Sequence, residues 1–273
     1  MKLSGQVAIV TGGGSGQGRA SSLLFAQEGA KVVVADVNAD GAEETAQLIN
    51  RNEGGQATAL RADVTRASDA QSMVDAAVSN YGRLDILINN AGMTLFKGID
   101  DTSEEDWDRI VNTNLKGVFL CCKAAIPAMR ESGGGSIVNI ASVAGLIGMP
   151  QHFAYCAAKA GVIHFTKSLA LDHGPEHIRI NCICPGGVLT PMLGEVIDVN
   201  NVAQVDRVAR QHALGRIADP QEIARVSLFL CSSDASFMTG AAVTVDGGIA
   251  AGRLRRASPC LDDGAAWCGC CSA

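Results

Sequence analysis

The sequence predicts an α/β fold, a doubly wound and mainly parallel sheet of seven strands with helices on both faces. Two observations carry this prediction. Short β-branched runs alternate with helix-length segments almost to the end of the chain, which implies parallel strands joined by right-handed crossovers. The runs are also continuously apolar rather than alternating, the pattern of strands covered on both faces. No internal repeat or interdomain linker interrupts them, so residues 1–252 are expected to form one catalytic-sized domain.

The elements follow in order. Val7-Ala-Ile-Val10 predicts the first strand, and a glycine-rich turn leads into a helix over 19–28. Lys31-Val-Val-Val-Ala-Asp36 predicts the second strand, followed by a helix over 39–52. A third strand is expected over 57–64, a helix over 67–80, and a fourth strand over 86–90, ending Ile-Asn-Asn. Residues 103–129 read as two helices or one bent helix. Strands over 136–140 and 178–183 flank a helix over 154–172, and a helix over 221–230 precedes the last strand, Ala242-Val-Thr-Val245. After Asp246-Gly-Gly248 the hydrophobic period stops. Residues 253–273, with Arg253, Arg255, Arg256, Cys260, Cys268, Cys270 and Cys271, are expected to be a disordered Cys-rich extension. Their spacing is not a paired C-x-x-C pattern, so no metal is expected there.

Composition narrows the function classes. The net charge of -6 leaves no basic face to meet phosphates, so no nucleic-acid partner is expected. No run approaches a membrane span and the first residues contain no apolar leader core, so the expected location is the cytoplasm. Cys121, Cys122, Cys156, Cys182, Cys184 and Cys231 sit in apolar segments and are expected to be small buried hydrophobes.

Thr11-Gly-Gly-Gly-Ser-Gly-Gln-Gly18 joins the first strand to the first helix. Glycines at 12, 16 and 18 let the backbone approach a pyrophosphate, and the exposed N–H groups of the helix start meet its charge. Asp36 ends the second strand, eighteen residues after Gly18, where an acid can accept both ribose hydroxyls of NAD and repel a 2′-phosphate. Ser15 and Val37 add no positive charge that would favour NADP. NAD is therefore the expected cofactor.

Tyr155 and Lys159 are four residues apart, so on a helix they share a face. A phenol titrates near 10, and a neighbouring cation favours its ionised form, which suggests proton transfer at an oxygen. His173 and His177 have the spacing of a ligand pair, but Gly174 and Pro175 argue against one helix there, and a loop is expected.

Together these residues resemble the short-chain dehydrogenase/reductases with the one-domain Rossmann fold. The resemblance spans about residues 3 to 250 and rests on ordered motifs: Thr11 to Gly18, Asp63-Val64, Asn89-Asn-Ala-Gly92, Asn114, Ser142, Tyr155 with Lys159, and Pro185-Gly-Gly-Val-Leu-Thr190. It implies that Tyr155 is the general base in alcohol oxidation and the acid in ketone reduction. Lys159 would hold the nicotinamide ribose and, with the cationic ring, lower the phenol pKa. Ser142 would bond the reacting oxygen, and Asn114 would fix a water relaying the proton outward. Asp63 and Val64 would border the adenine and Asn90 its ribose. Val188 and Thr190 would hold the carboxamide, with Ser15, Gln17, Gly92, Pro185 and Gly186 also among the cofactor contacts. Gln17 departs from the apolar residue usual there, but the backbone meets the phosphate, so binding is expected to survive. No metal is required.

The substrate wall is expected from 93–98, 143–153 and the segment after Thr190, with 191–213 as a lid. Leu146, Ile147, Met149, Phe153, Met192 and Leu193 make it apolar, and His152 lies one turn before Tyr155. A small, cyclic or largely apolar secondary alcohol, or its ketone, is the expected substrate. The alternatives are a 3-oxoacyl reductase acting on carrier protein or CoA, or a sugar dehydrogenase of the same family. Arg130-Glu-Ser-Gly-Gly-Gly135 makes a poor dock for an acidic carrier. A non-catalytic NAD sensor is disfavoured, because it would be expected to lose Tyr155 or Lys159. Small residues at 157, 158, 160, 161 and 170 permit close helix packing, and the family favours a homotetramer or homodimer built partly on that helix.

Overall fold

Seven strands form one parallel sheet: β1 (Val7–Thr11), β2 (Lys31–Asp36), β3 (Gln56–Arg61), β4 (Ile86–Asn89), β5 (Gly135–Ile140), β6 (Ile178–Pro185) and β7 (Ala242–Val245). Their order is β3-β2-β1-β4-β5-β6-β7, every pairing is parallel, and Asp36 lies opposite Arg61 at the β2–β3 end. The computed structural model describes residues 1–252. The expected Cys-rich extension over 253–273 lies outside the described residues.

The continuous apolar runs divide by alternate residues into two cores. Val7, Ile9, Val33, Leu87, Ile137 and Ile180 face one side, and Ala8, Val10, Val32, Val34, Ile88 and Val138 face the other. Period-two geometry sends successive side chains to opposite faces, so a strand buried on both sides needs no polar residue. Each buried Val, Leu or Ile contributes roughly 1.5–3 kcal/mol relative to exposure.

The helices are α1 (Gly16–Gln27), α2 (Ala39–Asn50), α3 (Ala67–Tyr81), α4 (Glu104–Val111), α5 (Gly117–Glu131), α6 (Phe153–His173), α7 (Pro191–Gly194), α8 (Val202–Ala209) and α9 (Pro220–Cys231). The segment expected as two helices or one bent helix is α4 and α5 joined by a π-helical turn, Asn112–Lys116. The segment expected as a lid carries α7 and α8, the latter capped by the Asn201 side chain on the Ala203 and Gln204 amides. A capping box, Asp219 with Glu222, starts α9.

Among the boundaries that differ from the sequence expectation, two have a clear local cause. β3 stops at Arg61 rather than continuing to Val64, because Asp63 turns the chain by accepting from the Thr65 amide at 2.9 Å and its hydroxyl at 2.7 Å. His173 closes α6 and is followed by a 3-10 turn over Gly174–Glu176, not an open loop. Pro175 fits such a turn at its start, where no amide donor is needed. His173 pairs with Glu176 at 2.9 Å, while His177 has a left-handed backbone.

Of the six core cysteines, all are free thiols and only Cys156 is half-buried. Burial pushes the Cys121 and Cys231 thiols up to about 12, so they behave as small hydrophobes. No helix among the described residues is long and apolar enough to cross a membrane.

Candidate active site

The strand order reverses direction between β1 and β4, and ligands of open α/β sheets bind beyond the carboxyl ends of strands at such a point. A cavity of about 1160 Å³ lies there. It is lined by Gly12, Ser15, Gly16, Gln17, Asp36, Asp63, Val64, Asn90 and Gly92 at one end, and by Ser142, Tyr155, Lys159 and Pro185 to Thr190 at the other.

The glycine turn is shaped by close contacts. Gly12 and Gly16 have φ values of 62° and 50°, a region that favours glycine. A Cβ on Gly18 would lie 1.9 Å from the Gly12 carbonyl oxygen, so only glycine fits beneath the turn. The Thr11 hydroxyl accepts from the Asn90 and Ala91 amides at 3.0 and 3.1 Å, tying the ends of β1 and β4 together. Asn90 spends its amide on the same junction, donating to the Thr11 and Gly12 carbonyls at 3.0 and 3.1 Å. It supports the turn from below as well as lining the cavity.

A dinucleotide fits these residues. Ser15 precedes α1 without capping it by its side chain, which leaves the first amides of the helix available to an anion. The Asp36 carboxylate is fixed by the Gly14 and Asn38 amides, each at 2.9 Å, and retains lone pairs toward the cavity. Arg19, the nearest cation in sequence to the turn, is engaged with the Gly14 carbonyl, Thr45 and Glu44. Arg61, opposite Asp36 in the sheet, is not among the lining residues. The Asp63 carboxyl is held below the usual range by its bonds to Thr65.

At the other end, Lys159 is 3% exposed and donates to the Ile140 carbonyl at 2.7 Å. That leaves two of its three donors for a ligand. Burial without a carboxylate partner pushes its ammonium down to about 8. The Ser142 hydroxyl draws the Tyr155 phenol down, yet burial outweighs that influence and pushes it up to about 12. The Lys159 ammonium, with Nζ 5.6 Å from the ring centroid, does not offset this burial. Ser142 itself follows β5, and its hydroxyl also accepts from the Ala144 amide at 3.1 Å, which fixes its rotamer.

Asn114 sits in the π-turn, a form frequent at functional sites. Both of its N–H donors are engaged with protein. It accepts from the Met93 amide at 3.2 Å and donates to the Met93 and Ile110 carbonyls at 2.9 and 3.0 Å. The Asn114 side chain thereby clamps the loop after β4, with one Oδ1 lone pair left over.

The substrate end brings together Met149, His152 and Met192, with Met93, Thr94, Phe96 and Leu193 also on its wall. Phe153 is a correction. It does not line the cavity, because it stacks on Trp107 at 6.0 Å and packs with Ile110 and Ala158. Leu146 and Ile147 likewise stay outside the wall, 42% and 37% exposed.

His212 is a residue whose role sequence reasoning missed. It is 3% exposed, accepts the Gly187 amide at Nε2 at 2.9 Å, and contacts the Val208 carbonyl through Nδ1 at 3.0 Å. Since Nε2 must accept, Nδ1 carries the proton, and the neutral ring ties the end of α8 to the loop after β6. No local sequence signal marks this pairing, which spans twenty-five residues.

Comparison with known proteins agrees with this geometry. Residues 12–250 match the family model described as enoyl-(acyl carrier protein) reductase. The chain is 40% identical to a cyclohexanol dehydrogenase from Acinetobacter sp., over 90% of this chain and 95% of that protein. It is 39% identical to the 3-oxoacyl-[acyl-carrier-protein] reductase FabG of Thermotoga maritima, over 91% of this chain and 99% of the relative. Among solved structures, a short-chain type dehydrogenase/reductase from Mycobacterium marinum superposes with a TM-score of 0.85 at 35% identity, covering 91% of this chain and 96% of its own.

Proposed function

The chain belongs to the short-chain dehydrogenase/reductase family, oxidoreductases that act on CH–OH groups with a nicotinamide cofactor, and from this premise we propose that it is an NAD-dependent dehydrogenase of small or cyclic secondary alcohols. The observation that carries the proposal is the convergence of Tyr155, Ser142 and Lys159 on one cavity that also contains the glycine turn and Asp36. Similarity to a cyclohexanol dehydrogenase and the apolar Met93, Met149 and Met192 wall support the substrate class.

When bound, the nicotinamide supplies the hydride acceptor or donor. Everything else falls to the side chains. Ser142 holds the substrate oxygen through its hydroxyl and steadies charge developing there. Tyr155 removes the hydroxyl proton during oxidation and returns it during reduction. A phenol that titrates near 12 in the protein alone is almost wholly protonated at neutral pH, so added positive charge in the site would favour the phenolate that oxidation needs. Lys159, anchored on Ile140, keeps two further donors that would hold the ribose, and it would supply part of that charge. Gly12, Ser15, Gly16, Gln17 and Gly18 would receive the pyrophosphate, and Val188 and Thr190 would hold the carboxamide.

Asp36 and the engagement of Arg19 with Glu44 support NAD over NADP. A homotetramer or homodimer belongs to the same proposal, supported by the partly exposed Trp107 and Phe119 and the largely exposed Leu171. The alternative, a 3-oxoacyl reductase, is favoured by similarity to the Thermotoga protein. A panel of cyclic secondary alcohols and 3-hydroxyacyl thioesters with NAD and NADP, read by reduced-cofactor absorbance, separates these. Faster turnover of the thioesters, or preference for NADP, would overturn the proposal.

A further inference from the structure

The substrate end of the cavity holds a polar pair that proton transfer does not use. His152 is 7% exposed, and its Nε2 lies 2.7 Å from the Thr94 hydroxyl. Its Nδ1 is enclosed and has no hydrogen-bond partner. Buried polar atoms are nearly always paired, so an imidazole kept in this condition calls for an explanation. Thr94 lines the cavity, is half-buried, and makes no other side-chain hydrogen bond among the described residues.

The pair is also held rigidly beside the reaction centre. The Phe96 ring packs on the imidazole at 3.7 Å, and the imidazole lies 5.4 Å from the Tyr155 ring. The Lys97 amide donates to the Gln151 carbonyl at 3.0 Å, joining the loops that carry Thr94 and His152. Gln151 has φ of 59°, a left-handed conformation uncommon for a residue with a side chain, which turns the chain into His152 at the start of α6.

We propose that Thr94, positioned by His152, is a second hydrogen-bonding point for the substrate and selects ring secondary alcohols that carry a further hydroxyl, together with the matching hydroxyketones. This inference rests on the proposed alcohol dehydrogenase activity. A threonine hydroxyl donates and accepts; since Nδ1 has no partner for a proton, the neutral imidazole carries it on Nε2 toward Thr94, which leaves the threonine hydroxyl to meet another hydroxyl. A carboxylate at this pair would call for a cation beside it; burial disfavours the imidazolium, and Arg207, which also lines the cavity, makes no hydrogen bond to Thr94 or His152. Met93, Met149, Met192 and Leu193 supply apolar surface on the same wall, which suits the carbon ring.

The test measures kcat/KM of the full chain for cyclohexanediols, cyclohexanol and hydroxycyclohexanecarboxylates. The wild type is expected to favour the diols over cyclohexanol. Thr94→Val and His152→Phe are expected to lower that ratio by about tenfold, the scale of one lost neutral hydrogen bond, and Thr94→Ser to recover it. A merely structural role would lower both substrates together and leave the ratio unchanged. An unchanged ratio, a wild type that favours cyclohexanol, or a preference for the carboxylates over the diols would overturn the inference. Absence of turnover with every ring alcohol would instead overturn the dehydrogenase proposal beneath it.

Discussion

Lys159 Nζ lies 2.7 Å from the Ile140 carbonyl and 5.6 Å from the centre of the Tyr155 ring, so the ammonium is anchored on β5 rather than on the phenol. This arrangement buries a cation with no carboxylate beside it. The destabilised charge is expected to appear in the stability of the protein as well as in its chemistry.

In the folded chain Lys159 titrates near 8 and in the unfolded chain near 10.5. Below pH 8 both states carry the proton and the burial penalty is fully present. Between those values the unfolded chain binds more protons, so this contribution makes stability rise with pH. The full effect is about 3 kcal/mol. Tyr155 acts in the opposite direction, but only above its unfolded value of 10.0. Denaturant unfolding of the ligand-free protein at several values between pH 8 and 10 should therefore show a rising component that Lys159→Met lacks. Equal slopes in the two proteins would contradict the burial of a charged Lys159.

Tyr155→Phe keeps the ring and removes the proton. It is expected to lower kcat by about 10²–10⁴, the contribution of general acid–base catalysis. Cofactor binding, followed by quenching of protein fluorescence, should change little. A variant with near-normal kcat would exclude Tyr155 as the acid–base group.

Asp36 accepts two main-chain amides and faces the cavity. Asp36→Ala should reduce kcat/KM for NAD by about 10–100-fold, the scale of a lost charge-assisted hydrogen bond. The NAD-to-NADP ratio should fall with it, since the repulsion of a 2′-phosphate is removed as well. A ratio that does not move would show that selectivity resides elsewhere.

Beneath the site, Asn89 donates to Asn139 at 2.8 Å and Asn139 to Thr166 at 2.9 Å, all three fully buried. This chain runs from β4 through β5 to α6, the helix that carries Tyr155 and Lys159. Asn139→Ala strands a donor on Asn89 and breaks the link to α6. It is expected to cost about 1–3 kcal/mol in chemical denaturation. A loss below a few tenths would mean that water replaces the network without penalty.

Much of the site was legible because its signals are local. The glycines at 12, 16 and 18 and the four-residue separation of Tyr155 from Lys159 are matters of chain geometry, visible before any packing is known. Asp36 was placed by the end of an apolar run. Phe153 shows the limit. Its apolar character suggested a pocket wall, yet Trp107, forty-six residues earlier on α4, offers a stacking surface that draws it away. Asn114 was recognised, but its three bonds to Met93 and Ile110 depend on a π-turn that no hydrophobic period announces. Thr94 and His212 acquired their roles only through partners on distant loops.

The sequence by itself determined the alternation of strands and helices, the division of each strand between two cores, the glycine turn and the Tyr155–Lys159 face. These follow from backbone geometry and side-chain period over a few residues. Tertiary structure alone decided that Lys159 is lowered and Tyr155 raised, that Phe153 leaves the pocket, and that His152 stands behind Thr94. Desolvation and hydrogen-bond partnership are set by which remote segments pack together, and that information is spread over the whole chain rather than held in any one window of it.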